Sequence, residues 1–169
     1  MRAWTRILGI DPGFRITGFG VIESNGQESR YITSGIVPAV KAEGTAARLR
    51  IIFSEVTALT AEYHPDELAI ERVFVHRNAD SALKLGQARA AAICATFEAD
   101  IPVFEYAARE VKQAVVGKGG AQKDQVEHMV RILLNLDEPA TADAADALGI
   151  ALCHAHTRSS AQLLKEAMA

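Results

Sequence analysis

An α/β domain built on a mixed five-stranded sheet, with an antiparallel meander of its first three strands and helices on both faces, is the fold class this sequence predicts. Strand-like apolar runs and alternations fill the first forty residues. Helical periodicities then alternate with two more short apolar runs, and the chain closes on helical pattern, giving the order βββαβαβαα. A length of 169 residues, 49% of them hydrophobic and 23% charged, supports one compact core. The expected organisation is a single domain over residues 1–158, followed by a tail, 159–169, that frays.

Taken in order, Ile7-Leu8-Gly9-Ile10 reads as a short buried strand ended by the turn Asp11-Pro12-Gly13. From Phe14 to Ile22 the chain alternates, with Ile16, Gly18, Gly20 and Ile22 on one face and Thr17, Phe19 and Val21 on the other; Asn25-Gly26 is the hairpin turn. Tyr31 to Val37 returns as the third strand. Leu49, Ile52, Phe53, Val56 and Leu59 then follow helical spacing from Thr45, in a helix that ends before Pro65. Leu68 to Glu71 is the fourth strand.

A second helix begins at Asn78 or Asp80 and reaches Phe97, with Ala79, Leu83, Gly86, Ala90, Ile93 and Phe97 on one face. Ile101 to Glu105 gives the fifth strand. The loop Gly117-Lys118-Gly119-Gly120 precedes a helix with Val126, Met129, Val130 and Leu133 inward, and the last helix starts near Thr141, a candidate N-cap.

The start of the chain lacks a secretory signal pattern, and no run approaches the ~20 apolar residues of a membrane span. Cys94 and Cys153 stand among apolar neighbours in helical pattern and read as buried free thiols of a reducing, cytoplasmic compartment. His154 and His156 are two apart on one helix and read as surface or capping groups. The formal charge of −3 does not advertise a nucleic-acid binder. It does hide a local excess of cations: Arg109, Lys112, Lys118 and Lys123 face only Glu110 across that stretch.

Four acids carry the functional reading. Asp11 ends the first strand and Glu71 the fourth; if these strands are parallel neighbours, both carboxylates leave the sheet at the edge where open α/β sheets bind ligands. Asp143 and Asp146 are three apart, so a helix shows them on one face. Singly, each is an ordinary turn former, strand-end acid or first-turn helix acid. Jointly they form a carboxylate cluster, and two such charges ~4 Å apart repel by roughly 4 kcal/mol at an effective dielectric near 20. A hard cation, Mg²⁺ or Mn²⁺, suits an all-oxygen donor set of this kind.

The motifs Gly9-Ile10-Asp11-Pro12-Gly13, Ile70-Glu71-Arg72-Val73-Phe74, the run from Asn78 to Arg89, Pro102 to Arg109, and Ala142-Asp143-Ala144-Ala145-Asp146-Ala147-Leu148 resemble the RuvC crossover junction endodeoxyribonucleases over almost the whole chain. That resemblance implies a ribonuclease H-like fold and an endonuclease that resolves four-way (Holliday) junctions by paired nicks in recombination and repair. It also implies that Asp11, Glu71, Asp143 and Asp146 are the metal-binding and catalytic acids. In-line phosphodiester displacement by two metals ~3.5–4 Å apart explains the need for several acids; the expectation is two Mg²⁺ per site, replaceable by Mn²⁺, with Asp11 bridging them.

By spacing alone Phe74 is a core aromatic or a base-stacking wedge, and Arg77 an unpaired surface group or a phosphate contact. The resemblance assigns Phe74 to bases near the junction. Lys112, Lys118 and Lys123 read either as a solvated loop or as phosphate contacts, and the resemblance favours DNA for Lys112 and Lys123. Arg72 departs from the family pattern, where many members carry Gln. Two-fold junction symmetry implies a homodimer, for which the Gly86 face of the second helix is one candidate interface. RuvA and RuvB are the partners the resemblance implies. The competing readings are a non-catalytic junction-binding module and an actin-like or sugar-kinase-type nucleotide-binding domain.

Overall fold

The computed structural model describes residues 3–73, 78–138 and 140–168, with 162–168 as backbone only. Strands β1 (Thr5–Asp11), β2 (Ile16–Ser24), β3 (Ser29–Pro38), β4 (Glu67–Glu71) and β5 (Val103–Tyr106) form one sheet in the order β3-β2-β1-β4-β5. The first three strands pair antiparallel, and β4 and β5 continue the sheet in parallel from β1. This is the mixed sheet expected from the sequence, with β1 at its centre.

Alternation along the strands divides the core in two. Leu8, Ile10, Val21, Leu68 and Ile70 point to one face and pack on α1 (Thr45–Tyr63) and α2 (Ala79–Cys94). Ile7, Ile22, Ala69 and Tyr106 point to the other, under α3 (Ala108–Val116), α4 (Lys123–Leu133) and α5 (Ala142–Met168). α5 takes in residues 159–168, the stretch expected to fray, and Ser159 Oγ donates to the Gly26 carbonyl at 2.8 Å.

Four sequence expectations need correction. The order βββαβαβαα omits α3, a helix of nine residues. Its start lacks a side-chain N-cap, and Glu110 instead reaches back to the Ala107 N–H at 2.6 Å, so the usual Ser/Thr/Asp/Asn signal is absent. On α2 the inward residues are Ala88 and Ala92, whereas Leu83 is exposed and Gly86 faces open space; the helix stops at Cys94, so the exposed Phe97 belongs to a following 3-10 turn and not to α2. Alanines lining a sheet leave no bulky apolar stripe, so the larger exposed residues mislead the periodicity. Cys94 is exposed, and only Cys153 is buried. His154 is a core residue, 2% exposed, and only His156 lies at the surface.

Candidate active site

The register of β1 against β4 sets the site. Ile10 pairs with Ile70, so Asp11 and Glu71 come next on adjacent parallel strands, and the two-residue alternation turns both toward α5. Thr17, fully buried, holds the turn after Asp11 by bonding the Gly13 carbonyl at 2.9 Å and its N–H at 3.3 Å.

Bringing the α5 acids down to the sheet depends on glycine. A Cβ at Gly9 would fall on the Ala147 carbonyl oxygen, and one at Gly18 on the carbonyl oxygen of Asp143 itself. Gly18 is the β2 partner of Asp11. Missing side chains on these two strands therefore let the first turns of α5 settle beside the central carboxylate.

Asp11, Glu71 and Asp146 line a cavity of about 210 Å³, closed by Lys112 and Lys123 and by Val111, Val126 and Ile150. Burial foremost, then the charges of Glu71 and Asp146, holds the Asp11 carboxyl up to about 8. Asp11 is thus the acid of the cluster that most readily keeps a proton, with the Glu71 carboxyl beside it. Burial raises Glu71 as well; the Asp11 hydrogen bond and the Lys112 charge oppose that rise. Asp143 is outside the cavity lining and acts on Asp11 through its charge. Asp146 accepts from Lys123 Nζ at 2.8 Å, the main cause of the raised Lys123 ammonium.

Among the described residues, no three His, Cys, Asp or Glu side chains are drawn into a finished coordination shell. The donor chemistry nonetheless fits a hard divalent cation: the acids at and beside the cavity offer only oxygen, and burial together with the neighbouring charges favours the protonated form of Asp11 until a cation offsets them.

Of the other sequence-derived residues, Lys112 reaches the cavity from α3 and Lys123 from the start of α4. Lys118 sits in the turn between those helices, away from the cavity lining. Phe74 and Arg77 lie outside the described residues. Arg72 donates to the Glu105 carbonyl at 3.1 Å and stands 4.0 Å from Glu110, turned along β5.

One residue the sequence reading passed over is Arg89 on α2. Its Nε donates to the Glu71 carbonyl at 3.1 Å, and its Nη2 lies 2.6 Å from Glu105 Oε1. That close pair is poorly aligned, which leaves the buried Nη2 without a well-formed hydrogen bond. An arginine inside the run Gln87-Ala88-Arg89-Ala90-Ala91-Ala92 was the available signal, since a long cation amid alanines on a packed helix needs a partner.

The fold and the acid-bearing sheet edge define a ribonuclease H-like α/β domain. A sequence model described as "Crossover junction endodeoxyribonuclease RuvC" matches residues 7–154. Proteins of that name from Hahella chejuensis and Shewanella loihica are 56% and 54% identical over 92% and 91% of this chain, and over 90% and 88% of their own lengths. The structure is also similar to T. thermophilus RuvC in complex with Holliday junction substrate, with TM-score 0.87, 35% identity, and coverage of 93% of this chain and 96% of that one. The chain belongs to the RuvC family of crossover junction endodeoxyribonucleases.

Proposed function

We propose that this chain resolves four-way DNA junctions by paired, symmetric, divalent-metal-dependent nicks, acting in recombination and repair, with Asp11, Glu71, Asp143 and Asp146 as its metal-binding and catalytic acids. One observation carries the assignment. Two carboxylates end neighbouring parallel strands, and a helix seated on glycine brings further acids over them, in a chain whose family cleaves crossover junctions. Two Mg²⁺ ions, or Mn²⁺ in their place, would supply an activated water and neutralise the leaving 3′ oxygen.

The chain's own residues do the rest. Asp11, on the central strand between Glu71 on β4 and the α5 acids, would hold a cation as a carboxylate, its proton released to solvent. Lys112 and Lys123 hold the phosphates flanking the scissile one, and Lys123 exchanges Asp146 for phosphate as DNA enters. Lys118 contacts backbone farther out, Arg77 does the same, and Phe74 stacks on bases at the junction. Two nicks on opposite strands call for a C₂ homodimer, which duplicates one site. The exposed Leu83 and the open Gly86 support the outward face of α2 as its interface. RuvA and RuvB are the proposed partners, in the cytoplasm; no helix among the described residues is long and apolar enough to cross a membrane.

The test compares labelled four-way junctions, linear duplex and single strands incubated with Mg²⁺ and either wild type or Glu71→Gln. Paired nicks confined to the junction and abolished by the substitution are expected. Equal cutting of linear duplex, or full activity of the variant, would overturn the reading.

A further inference from the structure

We propose that Glu67, His154 and Tyr106 form a positioning lock that sets the register of the acid-bearing helix against the acid-bearing strand. It rests on the reading of the four acids as the catalytic site. At the end of β4 remote from Glu71, His154 Nε2, midway along α5, lies 2.6 Å from Glu67 Oε2, and His154 Nδ1 lies 2.6 Å from the Tyr106 hydroxyl on β5. Glu67 Oε1 accepts from Arg158 Nε at 3.1 Å, and the Phe104 ring stacks on the imidazole with centroids 4.3 Å apart.

Burial lowers His154 and holds Tyr106 up at about 12, so the imidazole is neutral and the phenol keeps its proton. Nε2–H then donates to Glu67 and Nδ1 accepts from Tyr106, which satisfies both ring nitrogens.

The spacing of the lock from the acids argues for more than a satisfied core histidine. Along β4, Glu67 and Glu71 are four residues apart, about 13 Å of strand. Along α5, His154 and Asp146 are eight residues apart, about 12 Å of helix. The two elements run in opposite directions, so closing the lock at one end brings Asp146 level with Glu71 at the other. Apolar packing fixes α5 chiefly on β1 and β2, whereas Glu71 lies on β4. There Ala147 and Ala151 lie over Gly9, the Asp143–Ala144 backbone over Gly18, and the Leu148 side chain fills the space above Gly20. A slip of one residue would shift Asp146 by about 1.5 Å and turn it by about 100°. Three directional polar groups on three elements tie α5 to β4 and β5, the side of the sheet that carries Glu71.

The experiment measures single-turnover nicking at saturating junction, junction binding without divalent cation, and the Mg²⁺ concentration at half-maximal thermal stabilisation. Tyr106→Phe, which keeps the ring, and His154→Leu should nick about 10- to 100-fold more slowly. Both should bind junctions as wild type does and need several-fold more Mg²⁺. His154→Gln, with an amide donor and acceptor, should recover part of the rate. Val56→Ala on the opposite face is the control for stability loss alone and should keep its rate below its melting temperature. Should His154→Leu fail to fold, Tyr106→Phe decides.

Unchanged rate and Mg²⁺ requirement in Tyr106→Phe, a loss matched by Val56→Ala, or Gln no better than Leu would overturn the lock. A wild type without Mg²⁺-dependent nicking would instead overturn the acid-site reading on which it rests.

Discussion

The two faces of the sheet are built from the same strands and spend them differently. Toward α1 and α2, Leu8, Ile10, Leu68 and Ile70 give a continuous hydrocarbon layer. Toward α5, the alternate positions of β1 are Ile7, Gly9 and Asp11, so bulk falls away as the sheet approaches its acid edge. One face maximises buried apolar area. The other gives up side chains so that a helix can sit close enough to bring more acid beside acid, which no folding force favours. A crowd of carboxylates placed where packing is thinnest marks the face shaped for chemistry, and substitutions should separate the two.

The largest separation is expected at Asp11. Asp11→Asn should reduce Mg²⁺-dependent junction nicking by about 10³-fold or more, the scale of several kcal/mol of lost transition-state charge stabilisation. In metal-free buffer the same variant should melt higher than wild type, because a buried carboxyl that other acids crowd has gone. Normal nicking, or a lower melting temperature, would break the contrast.

Next comes a matched pair of core changes. Gly18→Ala puts a methyl group against the Asp143 carbonyl and must lift α5, at a cost of about 1–3 kcal/mol. Nicking should fall about 10²-fold with it. Val56→Ala, buried under the other face, should cost about 2 kcal/mol yet leave nicking at 25 °C unchanged. Equal effects on activity would mean that the faces are not functionally distinct.

How far the sequence revealed each face follows from the same physics. The α1 packing residues Ile52 and Val56 announced themselves by spacing, although Phe53, read on the same apolar face, is 44% exposed. The four acids were legible because carboxylates at strand ends and on one helical turn are conspicuous. The inward side of α2 was not, since Ala88 and Ala92 pack without standing out in hydropathy. α3 was hidden by its missing cap, and the apparent surface pair His154 and His156 concealed a buried residue whose partners, Glu67 and Tyr106, are distant in sequence. Gly18 looked like strand alternation until α5 was laid across it. Long-range placement is what local pattern does not carry.

A smaller effect separates the faces through pH. Native Asp11 holds its proton up to about pH 8, against an ordinary value of 3.8. The native state therefore binds more protons than the unfolded chain between those values, and metal-free stability should decline as pH rises through that window. Asp11→Asn should flatten the decline. Because a cation must displace the proton, Mg²⁺ should stabilise more at pH 8 than at pH 5. At a concentration a hundred times its dissociation constant, the gain at pH 8 should be about 5–10 °C. Calorimetric melting at the two pH values, with and without Mg²⁺, tests this, and an equal gain at both would remove Asp11 from the metal site.

The smallest expected effect is electrostatic and tests whether the acid face is also the DNA face. Lys112 lines the cavity, whereas Arg50 is exposed on α1 across the sheet. If Lys112 contacts a phosphate, Lys112→Ala should reduce the slope of log binding constant against log salt by about 0.9, the contribution of one released counterion on duplex DNA. Arg50→Ala should leave the slope alone. Lys118, in the turn beyond α3, should fall between the two if it touches backbone only part of the time. Binding isotherms between 50 and 200 mM salt span roughly the range over which such slopes resolve. A slope change at Arg50 equal to that at Lys112 would show DNA wrapping both faces, and the division drawn from the acids would then govern cleavage alone.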